Sequence, residues 1–177
     1  MRPDVDGYRA EVRAFIAEHA RAMTAEGVRA PKNAAEEAAI RAWLRSLYEA
    51  GHLGAGWPEQ WGGRPDHPAV HDLILMEELI LGDAYRPLDQ VMLAAHTLIA
   101  FGSEEQKRTL LPKIRNAEHI WCQLFSEPDA GSDLASLRTR AEPDGDGFVI
   151  NGQKTWSTDA QWADMATLLA RTDPDVD

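Results

Sequence analysis

Apolar residues recur at helical spacing through the first two thirds of the chain. From Val5 to Met23 they return every three to four residues with charged residues between them, which predicts an amphipathic helix. Gly51 is a typical helix stop, and Ser103 to Gln106 reads as a capping box that starts another helix. Pro112 is expected to kink or shorten that last helix. Helices are predicted over residues 5–23, 34–50, 69–81 and 88–101, and from Ser103 onwards. The third is apolar over most of its circumference, which predicts burial.

The period of the pattern changes to two after Asn116. Alternating residues from Ile120 predict a first strand, which Glu127-Pro128 ends because proline has no N–H to donate. Turn signals at 144–147 and at Asn151-Gly152 separate further strands. Those strands are predicted over residues 137–142, 148–150, 153–157 and 165–171. Helices followed by strands predict an α+β fold, with an all-α helical domain over residues 1–116 and an antiparallel β domain over residues 117–177.

Composition excludes several classes of protein. The 177 residues are 44% hydrophobic, which supports a packed core, and the net charge of -11 argues against nucleic acid or an anionic membrane as the main partner. The single cysteine, Cys122, rules out an internal disulfide framework and favours a reducing, cytoplasmic location. The sequence shows no signal peptide and no apolar run long enough for a membrane span. No metal site is predicted, because His19 has no second ligand at suitable spacing.

Two polar segments carry the candidate chemistry. The first reads S-E-P-D-A-G-S-D from Ser126 to Asp133, and its small residues allow a ligand to approach the backbone closely. The second reads N-G-Q-K-T-W-S-T from Asn151 to Thr158, where a tryptophan beside hydroxyl groups suits a flat heteroaromatic ligand. Neither segment is a G-x-G-x-x-G motif or a P-loop. Taken singly, Ser126 could simply end a strand, Trp156 could be a core residue and Thr158 a strand residue.

Together, these segments resemble the flavin-binding signature of the acyl-CoA dehydrogenase family, S/T-E-P-x-A-G-S-D followed by N-G-x-K-x-W-I/T-T. Two earlier stretches are also similar to family segments. Residues 51–63 match G-x-x-G-x-x-x-P-E-x-x-G-G, and residues 102–112 match G-x-x-x-Q-K-x-x-x-L-P. The resemblance covers nearly all of this chain. It implies that the rest of the β domain and a C-terminal helical domain of family members are absent from the chain.

The resemblance implies an FAD-dependent acyl-CoA dehydrogenase. In that family a carboxylate removes the α-proton of an acyl-CoA thioester while a hydride moves from the β-carbon to flavin N5. It further implies FAD as cofactor, acyl-CoA as substrate, electron-transfer flavoprotein or a similar acceptor as partner, and an oligomer of like or paired chains. The family's catalytic glutamate lies in the C-terminal helical domain, so no catalytic residue is assigned within residues 1–177.

Site residues carry over onto the matching positions. Ser126 would bond the pyrimidine edge of the isoalloxazine, and Gly131 and Ser132 would approach the pyrophosphate. Ser132 also lies on the side where acyl-CoA would enter, so it is the predicted substrate-binding residue. Trp156 would pack on the ring system and Thr158 would bond near N5. The cofactor-binding set is Gln123, Leu124, Phe125, Ser126, Gly131, Ser132, Trp156, Ser157 and Thr158.

Two positions depart from the family pattern. Asp129 stands where glycine is frequent, which would bring a carboxylate near an anionic pyrophosphate unless it points outward. Ser157 stands where an apolar residue or threonine is usual. From their place in the fourth predicted helix, Met92 and the residues around Gln90 would line the far end of an acyl pocket.

Three other hypotheses stay open at this point. The chain could be a non-catalytic partial subunit that completes a heteromeric dehydrogenase. It could belong to a flavin monooxygenase of the same fold, which would consume oxygen without an acyl-CoA substrate. It could also be a helical domain with a β appendage and no ligand, although three family-like segments would then have arisen by chance.

Overall fold

The computed structural model describes residues 4–20, 30–86 and 93–173, and the chain divides into two compact units, residues 1–120 and 121–177. The described part of the first unit is helical, and all described strands lie in the second. The helices are α1 (Val5–His19), α2 (Ala34–Glu49), α3 (Ala69–Leu81), α4 (Ala95–Phe101) and α5 (Glu104–Arg115). The strands are β1 (Trp121–Leu124), β2 (Arg140–Asp144), β3 (Gly147–Asn151) and β4 (Met165–Leu168). The predicted α+β order is confirmed.

The helical predictions hold closely wherever the residues are described. Gly51, with φ of 76°, follows the end of α2, and the Ser103 hydroxyl and Gln106 side chain form the expected capping box of α5. Predicted residues 21–23 of the first helix, and 88–92 of the fourth, lie outside the described part of the chain.

Two finer helix predictions are wrong. The third helix buries only one face, because Ile74, Leu75 and Leu79 are buried whereas Leu73, Ile80 and Leu81 are exposed. Pro112 does not shorten α5, which continues to Arg115, and the alternative of a kink at Pro112 stays a prediction. The buried side chains of Leu111 and Ile114 on either side of Pro112 pack the last turn into the core, and this burial offsets the single missing backbone hydrogen bond.

A buried carboxylate joins α1 to α3. Glu78, with a side chain only 2% exposed, accepts hydrogen bonds from Arg9 at 2.6 Å and from Arg13 at 2.9 Å. Its neighbour Glu77 is half exposed and forms an ion pair with Arg9. The hydrogen bond from Arg13 lowers the pKa of the Glu78 carboxyl, and burial opposes that change. This ion pair fixes how the two helices pack within the first unit.

The second unit contains two small sheets. Strands β2 and β3 form an antiparallel hairpin, in which Arg140 pairs with Asn151 and Asp144 with Gly147. Strands β1 and β4 pair in parallel, with Trp121 opposite Met165. The expectation of antiparallel pairing throughout is therefore wrong for β1 and β4, because strands so far apart in sequence can be joined by a crossover instead of a hairpin.

One predicted strand, residues 153–157, and one predicted turn, Asn151-Gly152, are not formed. The hairpin turn lies at Gly145, with φ of 59°, and Asn151 remains in β3. Gly152 then runs so close to Thr139 that a Cβ at Gly152 would lie 2.2 Å from the threonine hydroxyl oxygen. This close approach redirects the chain away from the hairpin.

Among the residues that the structure describes, none of the helices has the length and apolar character of a membrane span.

Candidate functional site

The first candidate segment leaves the sheet at the end of β1. Gln123 and Leu124 are the last residues of β1, Phe125 and Ser126 follow it, and all four are half-buried. The Ser126 carbonyl accepts a hydrogen bond from the backbone N–H of Thr155 at 2.9 Å. The fold therefore brings together the two polar segments, through residues that lie 29 positions apart in the sequence.

A tight turn follows Ser126. The N–H of Glu127 donates to the carbonyl of Ala130 at 2.7 Å, and the N–H of Ala130 donates back at 3.2 Å. Gly131 and Ser132 are exposed just beyond this turn, and no atom of the chain lies within 4 Å of the position that a Cβ at Gly131 would take. The backbone at Gly131 is therefore accessible to a ligand.

The aspartate that departs from the family pattern is solvent-exposed. Asp129 and Arg138 are both 82% exposed, and their charged groups lie 4.0 Å apart. An exposed carboxylate next to a guanidinium contributes little to the local field, because solvent and the opposite charge both screen it.

Trp156 is the most unusual residue of the second segment. Its side chain is 93% exposed and its φ is +57°, in the left-handed region that a bulky residue rarely adopts. The alternative of a core tryptophan is therefore wrong. Unfavourable backbone geometry combined with an exposed aromatic surface is typical of a functional position.

The residues beside Trp156 have hydroxyl groups without partners. The oxygens of Thr155 and Ser157 are buried and make no hydrogen bond, whereas Thr158 is exposed. Buried hydroxyl groups without partners are uncommon, because each loses its hydration without compensation. They leave unused hydrogen-bonding capacity at the two residues adjacent to Trp156 in the sequence.

Glu127 and Lys154 form a buried ion pair between the two segments. Lys154 Nζ lies 2.8 Å from Glu127 Oε1 and donates to the Phe125 carbonyl at 2.9 Å. The same carboxylate accepts the backbone N–H groups of Arg138 at 2.6 Å and Thr139 at 2.8 Å. Burial alone would raise the pKa of Glu127, but these hydrogen bonds outweigh it and lower the pKa to about 2.

Sequence reasoning missed this ion pair and the hydroxyl of Thr155. Glu127 and Lys154 both belong to the motif segments, Glu127 before the proline and Lys154 before Trp156, so their charges were a usable signal.

Of the predicted site residues, the structure brings Ser126 next to the second segment. Gln90 and Met92 lie outside the described residues.

These features fit a flavin. An exposed aromatic ring offers a stacking surface for a flat heteroaromatic group, and the residues on either side of it in the sequence have buried hydroxyl groups with no partner in the described residues. Gly131 leaves its backbone open to close approach by a ligand. Within the described residues, these are the properties expected of a site that a cofactor completes.

Comparison with known protein families matches both units. Residues 3–118 match the acyl-CoA dehydrogenase N-terminal domain, and residues 122–177 match the acyl-CoA dehydrogenase middle domain. Acyl-CoA dehydrogenase IpdE1 of Mycobacterium tuberculosis (strain ATCC 25618 / H37Rv) is 43% identical over 177 residues, which span 96% of this chain and 45% of that protein. The chain thus spans less than half the length of this relative.

Two solved structures are also similar. The ChsE4-ChsE5 complex from Mycobacterium tuberculosis has a TM-score of 0.83 at 34% identity, over 98% of this chain and 43% of that one. A glutaryl-CoA dehydrogenase from Mycobacterium smegmatis in complex with FADH2 has a TM-score of 0.78 at 30% identity, over 98% and 44%. With both domain models matched across the chain, it belongs to the acyl-CoA dehydrogenase family, of which it represents the N-terminal portion.

Proposed function

We propose that this chain supplies part of an FAD-dependent acyl-CoA dehydrogenase, with residues 123–132 and 156–158 binding the flavin. The observation that carries the proposal is the exposed ring of Trp156, whose two sequence neighbours, Thr155 and Ser157, have buried hydroxyl groups without hydrogen-bond partners. A relative solved with FADH2 supports the choice of cofactor. The substrate class is an acyl-CoA thioester.

Each predicted residue has a distinct task in this proposal. Ser126 bonds the pyrimidine edge of the ring, Gly131 and Ser132 contact the pyrophosphate, and Trp156 covers a ring face and excludes water from it. Ser132 also contacts the incoming acyl-CoA. Thr158 donates a hydrogen bond near N5. Bound FAD would accept the hydride that leaves the acyl β-carbon.

The test is anaerobic reduction by acyl-CoA thioesters. The FAD-loaded chain is combined with a polypeptide that carries the family's remaining β strands and C-terminal helical domain. Addition of a matching acyl-CoA should bleach the visible flavin band and give the enoyl-CoA product, measured by mass spectrometry. Oxygen consumption in the absence of acyl-CoA would instead indicate the monooxygenase hypothesis, and no bleaching with any acyl-CoA would contradict dehydrogenation.

A second candidate function is that of a partial subunit in a heteromeric dehydrogenase. The observation in its favour is the likeness to the solved complex of two proteins, ChsE4 and ChsE5. In this case the catalytic carboxylate comes from the partner subunit. Co-purification with one paired chain, and acyl-CoA-dependent bleaching only by the pair, would support this role. Equal bleaching without the paired chain would contradict it.

A further inference from the structure

Glu127 is bonded to three parts of the second unit. Its backbone N–H and carbonyl close the turn with Ala130, and its carboxylate accepts the N–H groups of Arg138 and Thr139, which immediately precede β2. Its third partner is Lys154. Because every one of these bonds restricts the position of Glu127, the motif segment is anchored at this residue.

Lys154 and Thr155 bond three consecutive residues of the first segment. Lys154 Nζ donates to the Phe125 carbonyl and to the Glu127 carboxylate, and the Thr155 N–H donates to the Ser126 carbonyl. Residues 152–157 belong to no strand. In place of a β-ladder, one backbone–backbone hydrogen bond, the ion pair and the hydrogen bond from Lys154 to the Phe125 carbonyl therefore connect the two segments.

The ion pair is shielded from water. The side chains of Glu127 and Lys154 are each 8% exposed, so their charges interact in a poorly screened environment. Removing one partner leaves the other charge buried and uncompensated, which disfavours the present arrangement of the segments. Neither charged group is exposed enough to bind a ligand itself, and the pair acts through the residues beside it.

From this geometry we propose that Glu127 and Lys154 are positioning residues of the flavin site. They fix Ser126 against Thr155 and thereby set where Trp156 and the neighbouring hydroxyl groups stand. The inference rests on the proposed function, since it concerns the site that would bind FAD. It assigns the alignment of the site to an ion pair that does not contact the cofactor.

The first test measures the segments without any cofactor. In Lys154→Gln, hydrogen exchange at the Thr155 amide, followed by NMR, should accelerate by about tenfold or more, the change expected for the loss of one charge-assisted hydrogen bond. Amides of the β2–β3 hairpin should keep their wild-type rates. Glu127→Gln, which keeps the side-chain shape but removes the charge, should give the same local change.

The second test measures FAD binding by the full chain. Lys154→Gln should weaken FAD affinity by about tenfold in a fluorescence titration and alter the visible band of the bound flavin. Lys154→Arg, which restores the positive charge, should recover most of both. Lys107→Gln is the matched control, because Lys107 is also largely buried and ion-paired, with Glu104 at 3.1 Å in α5. It should bind FAD as the wild type does.

The outcomes separate this inference from the function on which it rests. Wild-type exchange and wild-type FAD affinity in Lys154→Gln would overturn the positioning role. Faster exchange throughout residues 140–151 would also overturn it, by showing a general contribution to stability. A wild-type protein that binds no FAD would instead refute the proposed cofactor site, and the exchange rates would still decide whether the ion pair aligns the segments.

Discussion

At the residue scale, Trp156 shows why the sequence could identify a candidate site segment but not its conformation. Its motif position makes it a candidate flavin-stacking residue, which stays a prediction, whereas its positive φ depends on contacts distant in sequence. The backbone N–H of Thr155 bonds Ser126, and Gly152 lies against Thr139. The local pattern of hydrophobic and polar residues does not encode such long-range contacts. For this reason the predicted strand over residues 153–157 was wrong.

We expect Trp156 to contribute little to the stability of the fold, in keeping with its proposed role in ligand binding. Because its side chain is 93% exposed, we expect Trp156→Ala to change the free energy of unfolding by less than about 1 kcal/mol. The matched control is Trp57→Ala, which removes a buried ring and should cost about 3–5 kcal/mol. Chemical denaturation of both variants measures the difference. A loss in Trp156→Ala as large as in Trp57→Ala would show that the ring packs into a core.

His52 predicts a pH dependence of the first unit. Burial lowers the pKa of His52 from 6.5, Glu11 raises it, and Arg64 and His67 lower it further. Its Nδ1 lies 3.2 Å from the Tyr8 hydroxyl. A folded-state pKa below the unfolded value means that this contribution to stability is present above about pH 6.5 and is lost as the pH falls through the folded-state pKa.

The measurement compares wild type with His52→Asn, which can still bond Tyr8 but does not titrate. Between pH 7 and pH 5, the free energy of unfolding should fall more steeply in the wild type than in the variant. Parallel curves would mean that His52 binds protons equally well in the folded and unfolded states.

At the element scale, helices were predictable and strand pairing was not. The bounds of α3 and the capping box of α5 follow from local periodicity and capping chemistry. The parallel pairing of β1 with β4 depends on residues about 40 positions apart, and no local signal specifies it. Likewise, the exposed face of α3 follows from which helices surround it and not from its own sequence.

The Glu78 ion pair should contribute strongly to α1–α3 packing. Glu78→Ala should destabilise the protein by about 2 kcal/mol, below the range for fully buried pairs because Arg13 is largely exposed. Glu77→Ala, at the half-exposed neighbouring position, is the control and should cost less than about 0.5 kcal/mol. Thermal unfolding would measure both. Equal effects would show that burial of the Glu78 carboxylate is not what stabilises the contact.

At the scale of the whole molecule, the chain joins a helical unit to a small β unit that carries both candidate flavin segments. The family was recognisable because three family-like segments, one of them the two-part flavin signature, retain its residues in the right order. The chemistry of the complete enzyme is a separate matter, since this chain spans 45% of the relative IpdE1. For this chain by itself, the activity that we expect to measure is cofactor binding.

The most direct measurement is the visible absorption spectrum of the purified chain after incubation with FAD and removal of free cofactor. A retained flavin band, much reduced in Trp156→Ala, is the result expected if residues 123–132 and 156–158 form the site. A colourless wild-type protein, or a band equally strong in Trp156→Ala, would contradict the assignment of the flavin site to these residues.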